Sequence, residues 1–183
     1  GAGAVAAAAA TVADMHLFYQ KIKGMNAGNP DIRIVLKGTT VLATSAQQRA
    51  LMDVNAATDI GQYLGATQRW FSADWAGRAG GADAAHLMTK LDMSGGTAGI
   101  AYVGTMCRQH AVGVNEDGRF SYFTSETITH ELGHNFGASH DSSGNGCDPR
   151  GDIMAAISTL TGVADPNLKW STCSENYIVA KIQ

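Results

Sequence analysis

The sequence HELGHNFGASHD at residues 130–141 determines how the rest of the chain must be arranged. His130 and His134 are four residues apart, so a helix places both imidazoles on one face, about one turn apart. His140 cannot join them on a straight helix, because ten residues at about 1.5 Å each span roughly 15 Å. The chain must therefore turn back, and Gly137 stands where a residue in the left-handed conformation would end the helix.

Three histidines brought together in this way predict a catalytic zinc site. A catalytic zinc takes three protein ligands and keeps one position open, whereas a structural zinc is normally closed by four. His130, His134 and His140 are the predicted ligands, and Glu131 is the predicted general base for a zinc-bound water. A helix with two incidental histidines is the alternative, but the third histidine and Met154 downstream argue against it.

The same residues resemble a known family. H-E-x-x-H-x-x-G-x-x-H, followed by the methionine of Asp152-Ile153-Met154-Ala155, resembles the metzincin zinc endopeptidases. Asp141 and the sequence WSTCS at residues 170–174 are similar to adamalysin-type (reprolysin) domains, which include snake-venom metalloproteinases and the ADAM proteases. The resemblance implies an α/β fold of the zincin-like type, with a twisted mixed five-stranded sheet, several helices and a zinc cleft. It also implies a secreted zinc-dependent endopeptidase.

The resemblance assigns roles to further residues. Met154 would form an apolar floor beneath the zinc ligands; an ordinary buried core methionine is the alternative. Asp141 would anchor the turn by hydrogen bonding. An exposed edge strand would bind the substrate backbone; an ordinary strand is the alternative. Its residues would be Gly99, Ile100, Ala101 and Tyr102. A hydrophobic pocket, lined in part by residues after Met154, would take the side chain just after the cut.

Calcium is a second metal that the resemblance suggests, at a site opposite the cleft. Asp83 would supply a carboxylate, Cys173 its backbone carbonyl and Asn176 its side-chain oxygen, all hard ligands of the kind calcium takes. The glutamate of the family's site would fall near Ala8. Ordinary surface hydrogen bonds of Asp83 and Asn176 are the alternative.

The chain has three cysteines, so at least one has no partner within it. The resemblance implies a disulfide between Cys107 and Cys173, and hence an oxidising, secreted setting. Cys147 departs from the family pattern, and we expect it to be a free thiol. The histidines outside the motif, His16, His86 and His110, are isolated and predicted to be surface or hydrogen-bonded residues.

Length and charge restrict the classes of protein to consider. A chain of 183 residues suits one domain, residues 1–183, which can bury a proper core. The net charge of −3 without a basic block argues against a nucleic-acid partner, and no run reaches the about 20 apolar residues of a membrane span. We expect a monomer that acts on protein or peptide substrates. Residues 1–10 are nearly all alanine and glycine, and we treat their identity as uncertain.

Periodicity predicts the remaining elements. Strands are predicted at residues 11–14, 31–42, 85–91, 97–103 and 111–114. Helices are predicted at residues 15–22 and 60–71, from a cap at Thr124 or Ser125 through the histidine motif with Glu126 in the first turn, and from a cap at Thr172 to the C-terminus. Residues 45–48 carry a capping-box signature. Ile128, Leu132 and Phe136 are the predicted buried stripe of the motif helix.

Two functions of other classes compete with an enzyme. One is a catalytically silent adamalysin-like binding domain, and the other is a toxin that acts by binding a receptor. Glu131 is intact, which argues against a silent domain because such a domain does not need the general base. Digestion of casein or gelatin distinguishes a protease from both.

Overall fold

The computed structural model describes residues 2–22, 32–42, 59–73, 81–117, 121–157, 165 and 167–183. Its α-helices are α1 (Ala2–Gln20), α2 (Ile60–Ala73), α3 (Ser121–Phe136) and α4 (Thr172–Ile182). Its strands are β1 (Ala85–Thr89), β2 (Gly99–Ala101) and β3 (Val112–Glu116), with a 3-10 turn at Ser94–Gly96 between β1 and β2.

The three strands form a mixed sheet in the order β1-β3-β2. β3 pairs parallel with β1 and antiparallel with β2, so β3 is central and fully buried at Val112 and Val114. Leu87 packs with the α2 cluster, whereas its neighbour Met88 packs with the α3 cluster. Because successive strand residues point to opposite faces, α2 and α3 cover opposite faces of the sheet.

Helix α3 is buried between the sheet and α1. Its apolar stripe of Ile128, Leu132 and Phe136 packs against Met15, Phe18 and Tyr19 of α1. This confirms the predicted stripe, and the strong i, i+4 repeat explains why the sequence revealed it. The ring of Tyr19 also packs on Trp170, with ring centroids 4.9 Å apart, and its hydroxyl donates to the Thr129 carbonyl at 3.2 Å.

Several predicted elements agree with the structure. The helix at residues 60–71 is α2, and the helix at residues 15–22 coincides with the C-terminal part of α1. The strands at residues 85–91, 97–103 and 111–114 correspond to β1, β2 and β3, with shorter bounds for the first two. The residues that the structure describes hold three strands, so the predicted five-stranded sheet is observed only in part.

Two predicted strands are wrong. Residues 11–14 continue α1, because the alanine-rich sequence before them has high helix propensity and Thr11 extends the buried stripe of Met15. Residues 32–42 are not assigned as a strand: Ile32 and Ile34 pack partly buried against the core, but no described backbone pairs with the segment as a ladder. Alternation reports which side chains are buried, not whether a partner strand is present. The capping box at residues 45–48 lies outside the described residues.

The predicted helix caps are also displaced. Helix α3 begins at Ser121, so Thr124 and Ser125 lie inside it and Glu126 lies beyond its first turn. Both hydroxyls make tertiary contacts instead: Thr124 Oγ1 donates to Asp117 at 3.2 Å, and Ser125 Oγ donates to Asp14 of α1 at 2.9 Å. At α4 the cap is Ser171 rather than Thr172, and it accepts a hydrogen bond from the backbone N–H of Ser174.

By length and composition alone, α1 could span a membrane, a test that core helices and N-terminal signal sequences also pass. It is the one such helix in the part of the chain that the structure describes. Its C-terminal half belongs to the core, because Met15, Phe18 and Tyr19 are buried against α3.

The disulfide joins Cys147 to Cys173, with 6.2 Å between their Cα atoms. The expected Cys107–Cys173 bond and the expected free thiol at Cys147 are therefore wrong. Cys107 is exposed and free. It lies in a tight turn with φ of 62°, where its backbone N–H donates to the Asp83 carbonyl at 3.1 Å.

The disulfide closes a loop across 26 residues, so its loss should lower the free energy of unfolding by roughly 3 kcal/mol in the chain-entropy model. We expect this loss for Cys147→Ser and Cys173→Ser in denaturant unfolding. Cys107→Ser is the matched control and should change little. Titration of the unreduced, denatured protein should find one thiol per chain; three thiols would contradict the assignment.

Candidate active site

The turn at the end of α3 brings His140, the third histidine, back toward the helix. The helix ends at Phe136, and Gly137 adopts φ of 107°, a conformation that a side chain would strain. The N–H of Gly137 donates to the His134 carbonyl at 2.8 Å, and that of Ala138 donates to the Gly133 carbonyl at 3.0 Å. These bonds reverse the chain as the sequence predicts, and His140 returns toward the helix.

The three imidazoles converge on one point. His140 Nε2 lies 3.1 Å from His130 Nε2 and 3.1 Å from His134 Nε2. Among the described residues, this trio is the one cluster of histidine, cysteine and acidic side chains that could hold a metal ion. Three nitrogens at about 2.1 Å from a tetrahedral zinc are about 3.4 Å apart, so the spacing fits that ion.

Hydrogen bonds on the other side of the rings fix their orientation. His130 Nδ1 donates to the Ile153 carbonyl at 2.6 Å, and His134 Nδ1 donates to the Ala138 carbonyl at 2.7 Å. With the proton on Nδ1, each Nε2 presents a lone pair toward His140. Two Nε2 lone pairs that point at a third imidazole nitrogen form, together with that nitrogen, the donor set that zinc takes.

The rings also stay neutral, as metal ligands must. Burial lowers the pKa of His130 to about 3, with the neighbouring His134 adding to the effect. Burial likewise lowers the pKa of His134 and of His140.

Glu131 lies beside the trio with a free carboxylate oxygen. Its side chain is 4% exposed, Oε2 has no hydrogen-bond partner in the described part of the chain, and burial raises its pKa to about 8. It packs against the start of β2, where a Cβ on Gly99 would lie 2.6 Å from Glu131 Oε1. Only glycine at position 99 leaves room for this carboxylate.

Met154 lies under the helix that carries the histidines. It is fully buried, and a Cβ on Gly133 would lie 2.8 Å from its sulfur. Its backbone carbonyl accepts a hydrogen bond from the Asp141 N–H at 2.9 Å, while the preceding carbonyl of Ile153 holds His130. The turn around Met154 therefore positions ligands from both ends of the motif.

Asp141 is buried and holds the end of the motif to α4. Its Oδ1 accepts hydrogen bonds from Ser171 Oγ at 2.5 Å and from Ser174 Oγ at 3.3 Å. Sequence reasoning used the WSTCS segment only as a mark of resemblance and missed these two serines as the partners of Asp141.

The predicted substrate-binding residues lie on an edge strand. In β2, Gly99, Ile100 and Ala101 pair with β3 on one side, and no described strand pairs with the other side. Tyr102 follows at the end of the strand and is exposed. The structure thus brings these residues beside Glu131, and their role in substrate binding stays a prediction.

Asn135 joins α3 to the sheet, a role that the sequence analysis missed. Its Nδ2 donates to the carbonyls of Tyr102 at 2.8 Å and Val112 at 3.2 Å. Its Oδ1 accepts from His86 Nε2 at 3.1 Å, while His86 Nδ1 accepts from Asn115 Nδ2 at 3.2 Å. Burial lowers the pKa of His86 to about 4, which keeps this network neutral. The sequence held one signal of this role: Asn135 is a polar residue between Leu132 and Phe136, two residues of the buried stripe.

The residues predicted to bind calcium lie at the surface or in the disulfide. Asp83 and Asn176 are exposed, and Cys173 is bonded to Cys147. Near Ala8, where the family's glutamate would fall, the sequence supplies no carboxylate. The calcium site stays a prediction.

Comparisons with known proteins agree with this geometry. The model of metallopeptidase family M12, reprolysin type, matches residues 2–174. Over 109 residues the chain is 41% identical to mouse "A disintegrin and metalloproteinase with thrombospondin motifs 10", which covers 54% of this chain and 9% of that protein. Human "A disintegrin and metalloproteinase with thrombospondin motifs 6" is 39% identical over 107 residues, 54% of this chain and 9% of that protein.

A snake protein matches a shorter segment more closely. "Zinc metalloproteinase-disintegrin-like brevilysin H2a" of Gloydius brevicauda is 49% identical over 61 residues, which is 32% of this chain and 14% of that protein. The chain thus corresponds to a small part of each relative's length. Because the family model matches nearly the whole sequence, and the three histidines form a site that fits zinc, the chain belongs to metallopeptidase family M12, the reprolysin-type zinc metalloendopeptidases.

Proposed function

We propose that residues 1–183 form a single catalytic domain that hydrolyses peptide bonds of protein substrates with the help of zinc. The observation that carries the proposal is the convergence of three neutral imidazoles beside a buried carboxylate that has a free oxygen. His130, His134 and His140 would hold the ion. Zinc, when bound, supplies a Lewis acid that polarises the scissile carbonyl and makes water more acidic.

Glu131 acts as the general base and acid of this reaction. Its unpartnered Oε2 accepts the proton of the attacking water, and the same carboxyl group then gives the proton to the leaving amine. The N–H of Asp141 and the carbonyl of Ile153 fix the turn and His130 while this happens. Among the described residues, the cluster that could hold the metal consists of the three histidines and includes no acidic side chain.

The substrate backbone would add to the free edge of β2. An extended peptide there gains main-chain hydrogen bonds from Gly99 to Tyr102 and lies against Glu131, which packs on Gly99. A secreted, extracellular setting is supported by the Cys147–Cys173 disulfide, since such bonds persist in oxidising compartments. Calcium at Asp83, Cys173 and Asn176 is a secondary part of the proposal.

Replacing the general base tests the mechanism. Glu131→Gln keeps the size of the side chain but removes its ability to accept a proton, so kcat/KM for casein or a peptide should fall roughly 10²- to 10⁴-fold. Zinc content by metal analysis and the melting temperature should stay unchanged, because Glu131 is not a ligand. Near-normal rates would show that another group is the base.

Removing the metal tests the site itself. We expect excess phenanthroline to abolish activity and added zinc to restore it. His140→Ala should lose zinc from the folded chain, whereas His110→Ala, an exposed histidine outside the site, should retain one zinc per chain. Activity should also fall in acid, because protonated imidazoles release zinc. Full activity in phenanthroline would contradict a zinc enzyme.

A further inference from the structure

Helix α3 carries a second buried carboxyl group, Glu126, that the reaction above does not use. Its side chain is 8% exposed, and its Oε2 has no hydrogen-bond partner among the residues that the structure describes. A buried carboxylate without a hydrogen bond or a counter-charge is costly, so such a group is normally paired. Among the described residues the two ion pairs are Lys90–Asp117 and Arg150–Asp148, and neither involves Glu126.

Glu126 shares one face of helix α3 with His130 and Gly133. At about 100° per residue, Glu126 lies about 40° from His130 and about 20° from Gly133 around the helix axis. Gly133 faces the Met154 sulfur and the Trp170 ring. Ser125 faces α1 through Asp14, and Thr127 faces β2 at Gly99. Glu126 therefore lies on the helix face between His130 and Gly133, the residue that faces Met154 and Trp170.

A second carboxyl group, that of Asp165, lies near enough for its charge to act on Glu126. Burial raises the pKa of Glu126 to about 7, and the negative charge of Asp165 adds to this shift. The Asp165 carbonyl accepts a hydrogen bond from the Tyr122 hydroxyl at 3.3 Å, which ties it to the turn of α3 before Glu126. The groups described around this place are Asp165, the phenol of Tyr122 and, behind Ser125, Asp14. A cation also lies near them: Lys21, just after α1, which donates to the Leu168 carbonyl at 3.5 Å and lies over the ring of Phe18, the neighbour of Tyr122.

The direction of β2 determines which part of a substrate would reach these carboxylates. The start of β2 at Gly99 lies against Thr127 and Glu131, whereas Tyr102 at its end is bonded to Asn135, so β2 and α3 run in the same direction. A peptide that adds antiparallel to β2 places the residues after the scissile bond toward Gly99. This is the N-terminal half of α3, where Glu126 lies one turn, about 5.4 Å, before His130.

We propose that Glu126 and Asp165 form an acidic subsite that binds the lysine or arginine side chain of the substrate residue just after the scissile bond. A substrate cation would supply the partner that Glu126 Oε2 lacks. This proposal deepens the proposed function and rests on it. It also departs from the hydrophobic pocket that the family resemblance implies, because a buried, unpaired carboxylate does not suit an apolar side chain.

The experiment compares quenched fluorescent peptides that differ only in the residue after the cut: lysine, arginine, methionine or glutamate. The wild-type protein should cleave the lysine and arginine peptides with the highest kcat/KM. Glu126→Gln should lower kcat/KM for these two peptides about 10- to 100-fold, the loss expected when one partner of a buried charge pair is removed, and should leave the methionine peptide nearly unchanged. Asp165→Asn should lower kcat/KM for the lysine and arginine peptides by a smaller factor.

Asp92→Asn is the matched control, because it removes one exposed carboxylate and reports the long-range effect of net charge alone. The ratio of kcat/KM for the lysine peptide to kcat/KM for the methionine peptide should be the same in Asp92→Asn as in the wild type. In the wild type, kcat/KM for the lysine peptide divided by kcat/KM for the methionine peptide should also rise with pH through about 7, because Glu126 becomes charged. In Glu126→Gln this ratio should not change with pH. Melting temperatures identify any variant that fails to fold, and Asp165→Asn then provides the test.

Equal cleavage of lysine and methionine peptides by the wild type would overturn the acidic subsite. So would an equal loss on both peptides in Glu126→Gln. These outcomes leave the peptidase assignment intact, since cleavage still occurs. Absence of cleavage of all four peptides and of casein by the zinc-loaded protein would instead refute the proposed function.

Discussion

The arrangement of this protein depends on the convergence of three imidazoles, in which the Nε2 atoms of His130 and His134 each lie 3.1 Å from His140 Nε2. Two of these nitrogens present lone pairs to the third, and the rest of the site holds the rings in this arrangement. Backbone carbonyls hold the Nδ1 protons of His130 and His134, and a left-handed glycine at position 137 turns the chain so that His140 can reach them. Each of these restraints is a backbone feature, which makes the site rigid before any ligand binds.

Helix α3 serves a different neighbour on each of its faces. One face packs on α1, one on the sheet, one on the turn around Met154, and the remaining face carries the histidines. Asn135 fixes the distance between the helix and β2, because a single amide bonds two sheet carbonyls and a histidine. A side-chain amide this completely bonded cannot move without leaving buried polar groups unpaired, so the cleft wall and the histidines shift together or not at all.

Two carboxylates on this helix are buried with one oxygen unpaired. Glu131 lies beside the imidazoles and against Gly99, where its free oxygen serves proton transfer. Glu126 lies nearly one and a half turns earlier, near Asp165. In each case burial raises the pKa of the carboxyl group, which is costly for the fold alone and is therefore a mark of a group kept for chemistry or recognition.

The sequence by itself determined the parts of the protein that local periodicity encodes. The spacing of His130, His134 and Gly137, the buried stripe of α3, helix α2 and the three strands follow from patterns within a few residues, and the structure has them. Only the tertiary structure decided the pairing of Cys147 with Cys173, the serine partners of Asp141, the packing of α1 on α3 and the proximity of Asp165 to Glu126. The disulfide and the side-chain contacts join residues 26 to 39 positions apart, and the packing of α1 on α3 joins residues more than 100 positions apart. Neither kind of information leaves a periodic trace in the chain, because it depends on how separate elements approach one another in space.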